Sequence, residues 1–146
     1  MPTTSQIEIQ VENLHKHFGD NQVLRGVDLE FHSGDIIAIV GGSGCGKTVL
    51  LNTILGYYHP DRGIIRILDR SRPQWTLRKL ADFGEFEIDN IHKHWGVVFQ
   101  RNALFSGSVF FNIALWLREI KGMEDDAILP IAVRALKSVG LPADEA

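Results

Sequence analysis

Several features are scarce in this chain of 146 residues, and each scarcity excludes a class of protein. The single cysteine, Cys45, excludes an internal disulfide. The net charge is only −3 and the basic residues are scattered, so nothing in the charge pattern indicates a nucleic-acid partner. The most apolar stretch, residues 103–117, is interrupted by polar residues and is shorter than the roughly 20 residues of a membrane span. Because the first residues also lack the pattern of a secretory signal, we expect a cytoplasmic protein.

One motif stands out against this unremarkable composition. Residues 41–48 match G-x-x-x-x-G-K-[ST], the phosphate-binding loop of nucleotide-binding proteins. Its residues are Gly41, Gly42, Ser43, Gly44, Cys45, Gly46, Lys47 and Thr48. The apolar run 36–40 before the motif predicts a buried parallel strand, and residues 48–55 predict a helix. A strand, a glycine turn and a helix N-terminus together make an anion site.

The residue types in this loop suit a nucleoside triphosphate and its metal ion. Glycine lets the backbone approach phosphate oxygens, which a side chain would prevent. Lys47 would reach the β- and γ-phosphates, and the hydroxyl of Thr48 would be a ligand of Mg²⁺. Cys45 sits beside Lys47, but a small residue filling a variable loop position explains it better than a reactive thiol.

The remaining chain predicts an α/β protein. Alternating apolar residues predict strands near 7–12, 23–31 and 65–68, and residues 97–99 predict a short buried strand that ends at Gln100. Helical periodicity predicts helices at 108–120 and 125–139. Residues 70–94 are polar and poorly periodic, and they predict no more than a weak helix near 77–81. Their acidic residues are interpreted as a solvated face.

These segments, taken in order from residue 7 to residue 141, resemble the N-terminal part of an ATP-binding cassette (ABC) transporter ATPase. Phe18 stands where the family's A-loop places an aromatic residue on adenine, and residues 98–100 resemble the Q-loop. Gly56, Pro60, Asp61 and Gly63 match the family's turn after the first helix. The resemblance implies a P-loop NTPase of the ABC type, in which an N-terminal antiparallel β layer precedes the start of a helical subdomain. Phe18 replaces the more usual Tyr, and Gly42 replaces the usual Pro.

The resemblance also implies cofactors, partners and a location. ATP and Mg²⁺ would bind at Phe18, at the loop 41–48 and at Gln100, whose amide would reach the Mg²⁺ and the attacking water. The partners would be an integral membrane permease subunit and a second ATPase subunit in a homodimer, on the cytoplasmic face of the inner membrane. The apolar surface of the helix at 109–120 would face the permease. Within the family, residues 96–100, 103–105, 112–114 and 117–119 are most similar to ATPases of Mla/MCE-type lipid transport, which implies phospholipid as cargo.

Residues 1–146 carry only part of the family's motif set. The A-loop, Walker A and Q-loop motifs are present, whereas the signature Leu-Ser-Gly-Gly-Gln, the Walker B carboxylates and the switch histidine are absent. We therefore expect a partial nucleotide-binding domain, lacking its C-terminal half and any catalytic residue, that is poorly soluble on its own. In its intact form it would couple ATP hydrolysis to membrane transport; the alternative is a non-catalytic nucleotide-binding fragment of a truncated gene. A GTPase or a small-molecule kinase would share the phosphate loop; a GTPase is disfavoured, because D-x-x-G and N-K-x-D do not occur.

Overall fold

The structure is a computed structural model that describes residues 6–101 and 104–142. The chain divides into two compact units, Met1–Trp95 and Gly96–Ala146. The phosphate loop and Phe18 belong to the first unit, and Gln100 belongs to the second.

The first unit contains a four-stranded antiparallel sheet with the strand order β2-β1-β3-β4. Its strands are β1 (Ile7–Phe18), β2 (Asn21–His32), β3 (Arg62–Asp69) and β4 (Thr76–Lys79). The alternating apolar residues predicted the first three of these strands, and a tight turn through Gly19 joins β1 to β2. This sheet is the predicted antiparallel β layer.

An irregularity in β1 brings the strands close together at one point. The pairing register of β1 shifts between Glu12 and His15, and Asn13 has a positive φ of 45°. Gly63 of β3 lies so near that a Cβ atom there would be 2.3 Å from the carbonyl oxygen of Asn13. Only glycine fits this close backbone approach.

Two helices and a 3₁₀ turn complete the first unit. They are α1 (Lys47–Ile54), the 3₁₀ turn (Leu80–Asp82) and α2 (Glu85–His92). The buried core contains residues of β1, β2, β3, α1, the 3₁₀ turn and the residue that follows that turn, namely Val11, Leu14, Leu24, Leu50, Ile54, Ile65, Ile67, Leu80 and Phe83. Helix α1 therefore buries one side in the core and carries the phosphate loop at its N-terminus.

The second unit contains the two helices that the periodicity predicts, α3 (Val109–Glu119) and α4 (Asp125–Ser138). The hydroxyl of Ser108 accepts a hydrogen bond from the backbone N–H of Phe111 and so caps α3. Ala114 of α3 and Ile128 of α4 are fully buried. Among the described residues, no helix combines the length and apolar character that crossing a membrane requires.

Two predicted strands are wrong. Residues 36–40 and 97–99 form no strand, and Ile36, Val40 and Val98 are 100%, 91% and 96% exposed. Their composition suits a buried parallel strand, but a strand forms only when a neighbour supplies the hydrogen-bonding ladder. Within residues 6–101 and 104–142 neither segment pairs with another strand.

The segment 70–94 is also more regular than its sequence predicts. The predicted weak helix near 77–81 does not form: Leu77 pairs with Leu68 in β4, which ends at Lys79, and the 3₁₀ turn begins at Leu80. Helix α2 begins with a local capping pattern that could have been recognised in the sequence. Glu87 stands at the third helical position and its carboxylate accepts a hydrogen bond from the backbone N–H of Gly84, 3.1 Å away.

Candidate nucleotide site

The phosphate loop ends in the first turn of α1, and a glycine makes that junction possible. Gly46 is the N-cap, with a left-handed φ of 99°, and Leu50 N–H makes the first helical hydrogen bond to its carbonyl at 2.8 Å. A Cβ atom on Gly46 would lie 2.9 Å from Cγ1 of Val23. The N–H groups of the first helical turn have no carbonyl partner within the helix, so they are available to an anion.

Two other glycines leave the loop backbone open. A Cβ atom on Gly42 or Gly44 would meet nothing within 4 Å, and Gly44 has a φ of 78°. Ser43 between them is exposed. Gly41 is different, because a Cβ atom there would lie 2.6 Å from Sγ of Cys45 on the other side of the loop. The loop therefore folds back on itself while part of its backbone faces open space.

Lys47 places its ammonium group inside this loop. Its Nζ donates hydrogen bonds to the carbonyl oxygens of Gly41 and Gly42, each at 2.7 Å, and lies 3.5 Å from Sγ of Cys45. Both carbonyls are neutral acceptors, whereas phosphate oxygens are charged and bind an ammonium more strongly. The loop can therefore exchange these contacts for contacts to a phosphate group.

Thr48 is the second residue of α1 and is exposed. Its hydroxyl is an oxygen ligand of the kind that Mg²⁺ prefers, and Thr48 directly follows Lys47 in the chain. An open glycine loop, helix N–H donors, a lysine and a hydroxyl together form a donor set that fits a magnesium–triphosphate group.

The proposed base-contacting residue, Phe18, ends β1 and is 45% exposed. Its ring packs edge-to-face against Tyr58, with the ring centroids 5.4 Å apart. The Nζ atom of Lys16 lies 5.4 Å from the Phe18 centroid. Tyr58 follows α1 in the chain, so the segment around α1 contacts both the phosphate loop and the aromatic residue. The sequence analysis did not identify Tyr58 or Lys16.

The structure does not bring all the predicted site residues into one unit. Gln100 is exposed and lies in the second unit, after residues 97–99. Its contact with a nucleotide therefore stays a prediction.

A cavity in the first unit lies away from this loop. It has a volume of about 600 Å³, and β1, β3, α2 and the residues following them line it, whereas no residue of the phosphate loop does. Among its charged groups, Arg70 pairs with Glu8 and Asp69 pairs with Arg78. We place the candidate site at the loop because its chemistry is specific, whereas the size of the cavity alone is not.

Comparison with known proteins identifies the class to which this loop and fold belong. The family model described as ABC transporter matches residues 24–145. The solved structure of cbiO1 from Clostridium perfringens, part of the ABC transporter complex cbiONQ, superposes with a TM-score of 0.72 and 29% identity. The superposition covers 93% of this chain and 51% of that one. The fold is that of an ABC ATPase.

Several relatives of this chain have the names of transport ATP-binding proteins. The Fe(3+) ions import ATP-binding protein FbpC of Haemophilus influenzae (strain 86-028NP) is 37% identical over 81% of this chain and 31% of its own length. The sulfate/thiosulfate import ATP-binding protein CysA of Vibrio vulnificus is 39% identical over 77% and 29%. The probable ribonucleotide transport ATP-binding protein mkl of Mycobacterium leprae is 33% identical over 95% and 38%. This chain belongs to the ABC transporter family, as one of its ATP-binding domains, and spans well under half of each relative's length.

Proposed function

We propose that this chain is the ATP-binding part of a transporter ATPase that couples ATP hydrolysis to movement of a cargo across or between membranes. The observation that carries the proposal is the placement of Lys47. Its ammonium group is held on the carbonyls of Gly41 and Gly42, within a glycine loop at the N-terminus of α1. The ATP-binding proteins among its relatives support the same reading.

Different residues of the site bind different parts of the nucleotide. The loop 41–46 and Lys47 bind the phosphates, and Thr48 holds Mg²⁺, which when bound neutralises phosphate charge. Phe18 stacks on the base. Gln100 reaches the metal ion and the attacking water. Residues 1–146 supply no catalytic carboxylate in this proposal, so they bind and orient the nucleotide as a partial domain.

The proposed partners are an integral membrane permease subunit and a second ATPase subunit, with the protein on the cytoplasmic face of the inner membrane. The membership of cbiO1 in a transporter complex supports a membrane partner. Exposed apolar residues of the second unit, Val109, Trp116 and Ile120, offer a surface for the permease. Phospholipid as cargo rests on the sequence resemblance alone, because the relatives' names refer to Fe(3+) ions, sulfate or thiosulfate, and ribonucleotide.

Titration with a fluorescent ATP analogue in the presence of Mg²⁺ tests the proposal. Lys47→Ala removes a charge-assisted hydrogen bond and should weaken binding at least about tenfold. Lys137→Ala, an exposed lysine in the last turn of α4, is the matched control and should leave binding unchanged. Equal affinity of the wild type and Lys47→Ala would remove Lys47 from the site and overturn the proposal.

A further inference from the structure

Asp61, in the turn that follows α1, forms hydrogen bonds with residues at the end of β1. The carboxylate of Asp61 accepts hydrogen bonds from the backbone N–H of His17 at 2.6 Å and from Nζ of Lys16 at 3.3 Å. The backbone N–H of Asp61 donates to the carbonyl of His15 at 3.0 Å. One residue therefore holds three consecutive residues of β1, and the next residue along the strand is Phe18.

The acceptor at this point is a carboxylate rather than a carboxylic acid. The hydrogen bond from the backbone N–H of His17 lowers the pKa of Asp61, and the contact with Lys16 lowers it further. Asp61 is therefore ionised at neutral pH. The side chain of Lys16 is only 14% exposed, and its Nζ lies 3.3 Å from the Asp61 carboxylate and 5.4 Å from the centroid of the Phe18 ring.

The same turn presents Tyr58 to the ring. The backbone N–H groups of Tyr57 and Tyr58 donate to the carbonyl of Asn52 in α1, at 2.9 and 3.3 Å. Tyr58 is thus attached to the C-terminal end of the helix whose N-terminal end carries the phosphate loop. Its ring then meets the Phe18 ring edge-to-face.

We propose that Asp61 and Tyr58 are positioning residues that hold the Phe18 ring in place for the nucleotide base, while α1 holds the loop for the phosphates. This inference rests on the proposed function and deepens it. The turn after α1 would then be the reason why the site prefers a nucleoside triphosphate to a bare triphosphate. Neither residue touches the ligand; both act through Phe18.

Calorimetric titration of the whole chain with two probes, ATP and inorganic tripolyphosphate, each with Mg²⁺, tests this role. Asp61→Ala and Tyr58→Ala should each weaken ATP binding about fivefold, because base stacking on an aromatic ring is partly lost. Binding of tripolyphosphate should change by less than about twofold, because the phosphate loop is intact. Tyr58→Phe keeps the ring and should restore ATP affinity.

Two controls separate positioning from stability. Asp20→Ala removes an exposed carboxylate in the turn next to Phe18 and should leave both titrations unchanged. Asp61→Asn keeps an oxygen acceptor for the N–H of His17, so it tests the carboxylate charge if Asp61→Ala fails to fold. A variant that weakens both probes equally would show a merely structural role and overturn the inference.

The outcomes also distinguish this inference from the proposed function. If Phe18→Ala weakens ATP alone whereas the Asp61 and Tyr58 variants bind like the wild type, only the positioning role fails. If Phe18→Ala has no effect on either probe, the base contact fails, and the positioning role fails with it. If the wild type binds neither probe, the nucleotide site itself is wrong.

Discussion

The carboxylate of Asp69 lies 2.8 Å from the guanidinium group of Arg78, although Asp69 is only 2% exposed. The hydroxyl and the backbone N–H of Ser71 donate to the other carboxylate oxygen at 2.6 and 3.0 Å. Arg78 also pairs with Glu87 of α2 at 2.9 Å. These contacts link β3, β4 and α2. Asp69 therefore helps to hold together the segment 70–94, whose secondary structure the sequence predicted least well.

This carboxylate should make the first unit sensitive to acid. Burial alone would raise the pKa of Asp69, but the hydrogen bonds from Ser71 and Arg78 outweigh it and lower the pKa to about 2, from an ordinary value of 3.8. Because the pKa is lower in the folded state, the ionised group stabilises the fold above pH 3.8. That stability, about 2 kcal/mol, is lost as the pH falls towards 2.

Urea unfolding at a series of pH values measures this contribution. Asp69→Asn should unfold more easily than the wild type at pH 7, and the difference should shrink between about pH 4 and pH 2. Asp89→Asn, at an exposed carboxylate of α2, is the control and should be as stable as the wild type at pH 7. A difference between Asp69→Asn and the wild type that does not change with pH would contradict the assigned pKa.

The junction between loop and helix should tolerate no side chain. Gly46→Ala puts a Cβ atom 2.9 Å from Val23 at a φ of 99°, so we expect a loss of about 1–3 kcal/mol in the free energy of unfolding. Gly42→Ala is the matched control, because a Cβ atom there meets nothing and the φ is not positive. Thermal unfolding compares the two. Equal stability of both variants would show that Gly46 is not required for the fold.

The sequence alone predicted what depends on local pattern. The phosphate loop, α1, α3, α4 and the first three strands of the antiparallel sheet follow from a motif, from helical period or from alternation, and each is present. The cap at Gly84 and Glu87 was an equally local signal and could have predicted α2. Phe18 and Gln100 were named from a family resemblance rather than from residue chemistry.

Apart from the missed α2, the wrong predictions depend on long-range contacts. Residues 36–40 have the composition of a buried strand, but composition cannot say whether a neighbouring strand is available. Leu77 became part of β4 rather than a helix because Leu68 pairs with it. The contact of Asp61 with Lys16 joins residues 45 positions apart, which no periodicity reveals.

If Thr48 binds Mg²⁺ as proposed, two substitutions at this position should have different effects. Thr48→Val keeps the shape but removes the hydroxyl, so the gain in ATP affinity on adding Mg²⁺ should largely disappear. Thr48→Ser keeps the hydroxyl and should retain that gain. Titration of each variant with ATP, in EDTA and in Mg²⁺, gives the comparison. A Mg²⁺ effect that Thr48→Val retains in full would place the metal ligand elsewhere.

Gln100 is predicted to act on the attacking water rather than on affinity. Gln100→Ala should therefore bind MgATP within about twofold of the wild type, whereas Lys47→Ala should not. In a protein that carries the family's remaining motifs, Gln100→Ala should lower turnover. Equilibrium titration and phosphate release measure the two effects. A Gln100→Ala variant that loses binding but keeps hydrolysis per bound nucleotide would contradict the role.

The exposed apolar segment 36–40 should make the isolated chain associate with itself. Ile36 and Val40 are 100% and 91% exposed in a stretch of β-branched residues, which is the kind of segment that pairs with another chain. Ile36→Thr combined with Val40→Thr removes apolar surface, so light scattering should begin at about tenfold higher protein concentration. Val139→Thr, an isolated residue that is 71% exposed after α4, should have little effect. A wild-type chain that stays monomeric and unfolds in one sharp urea transition would show that this segment causes no association.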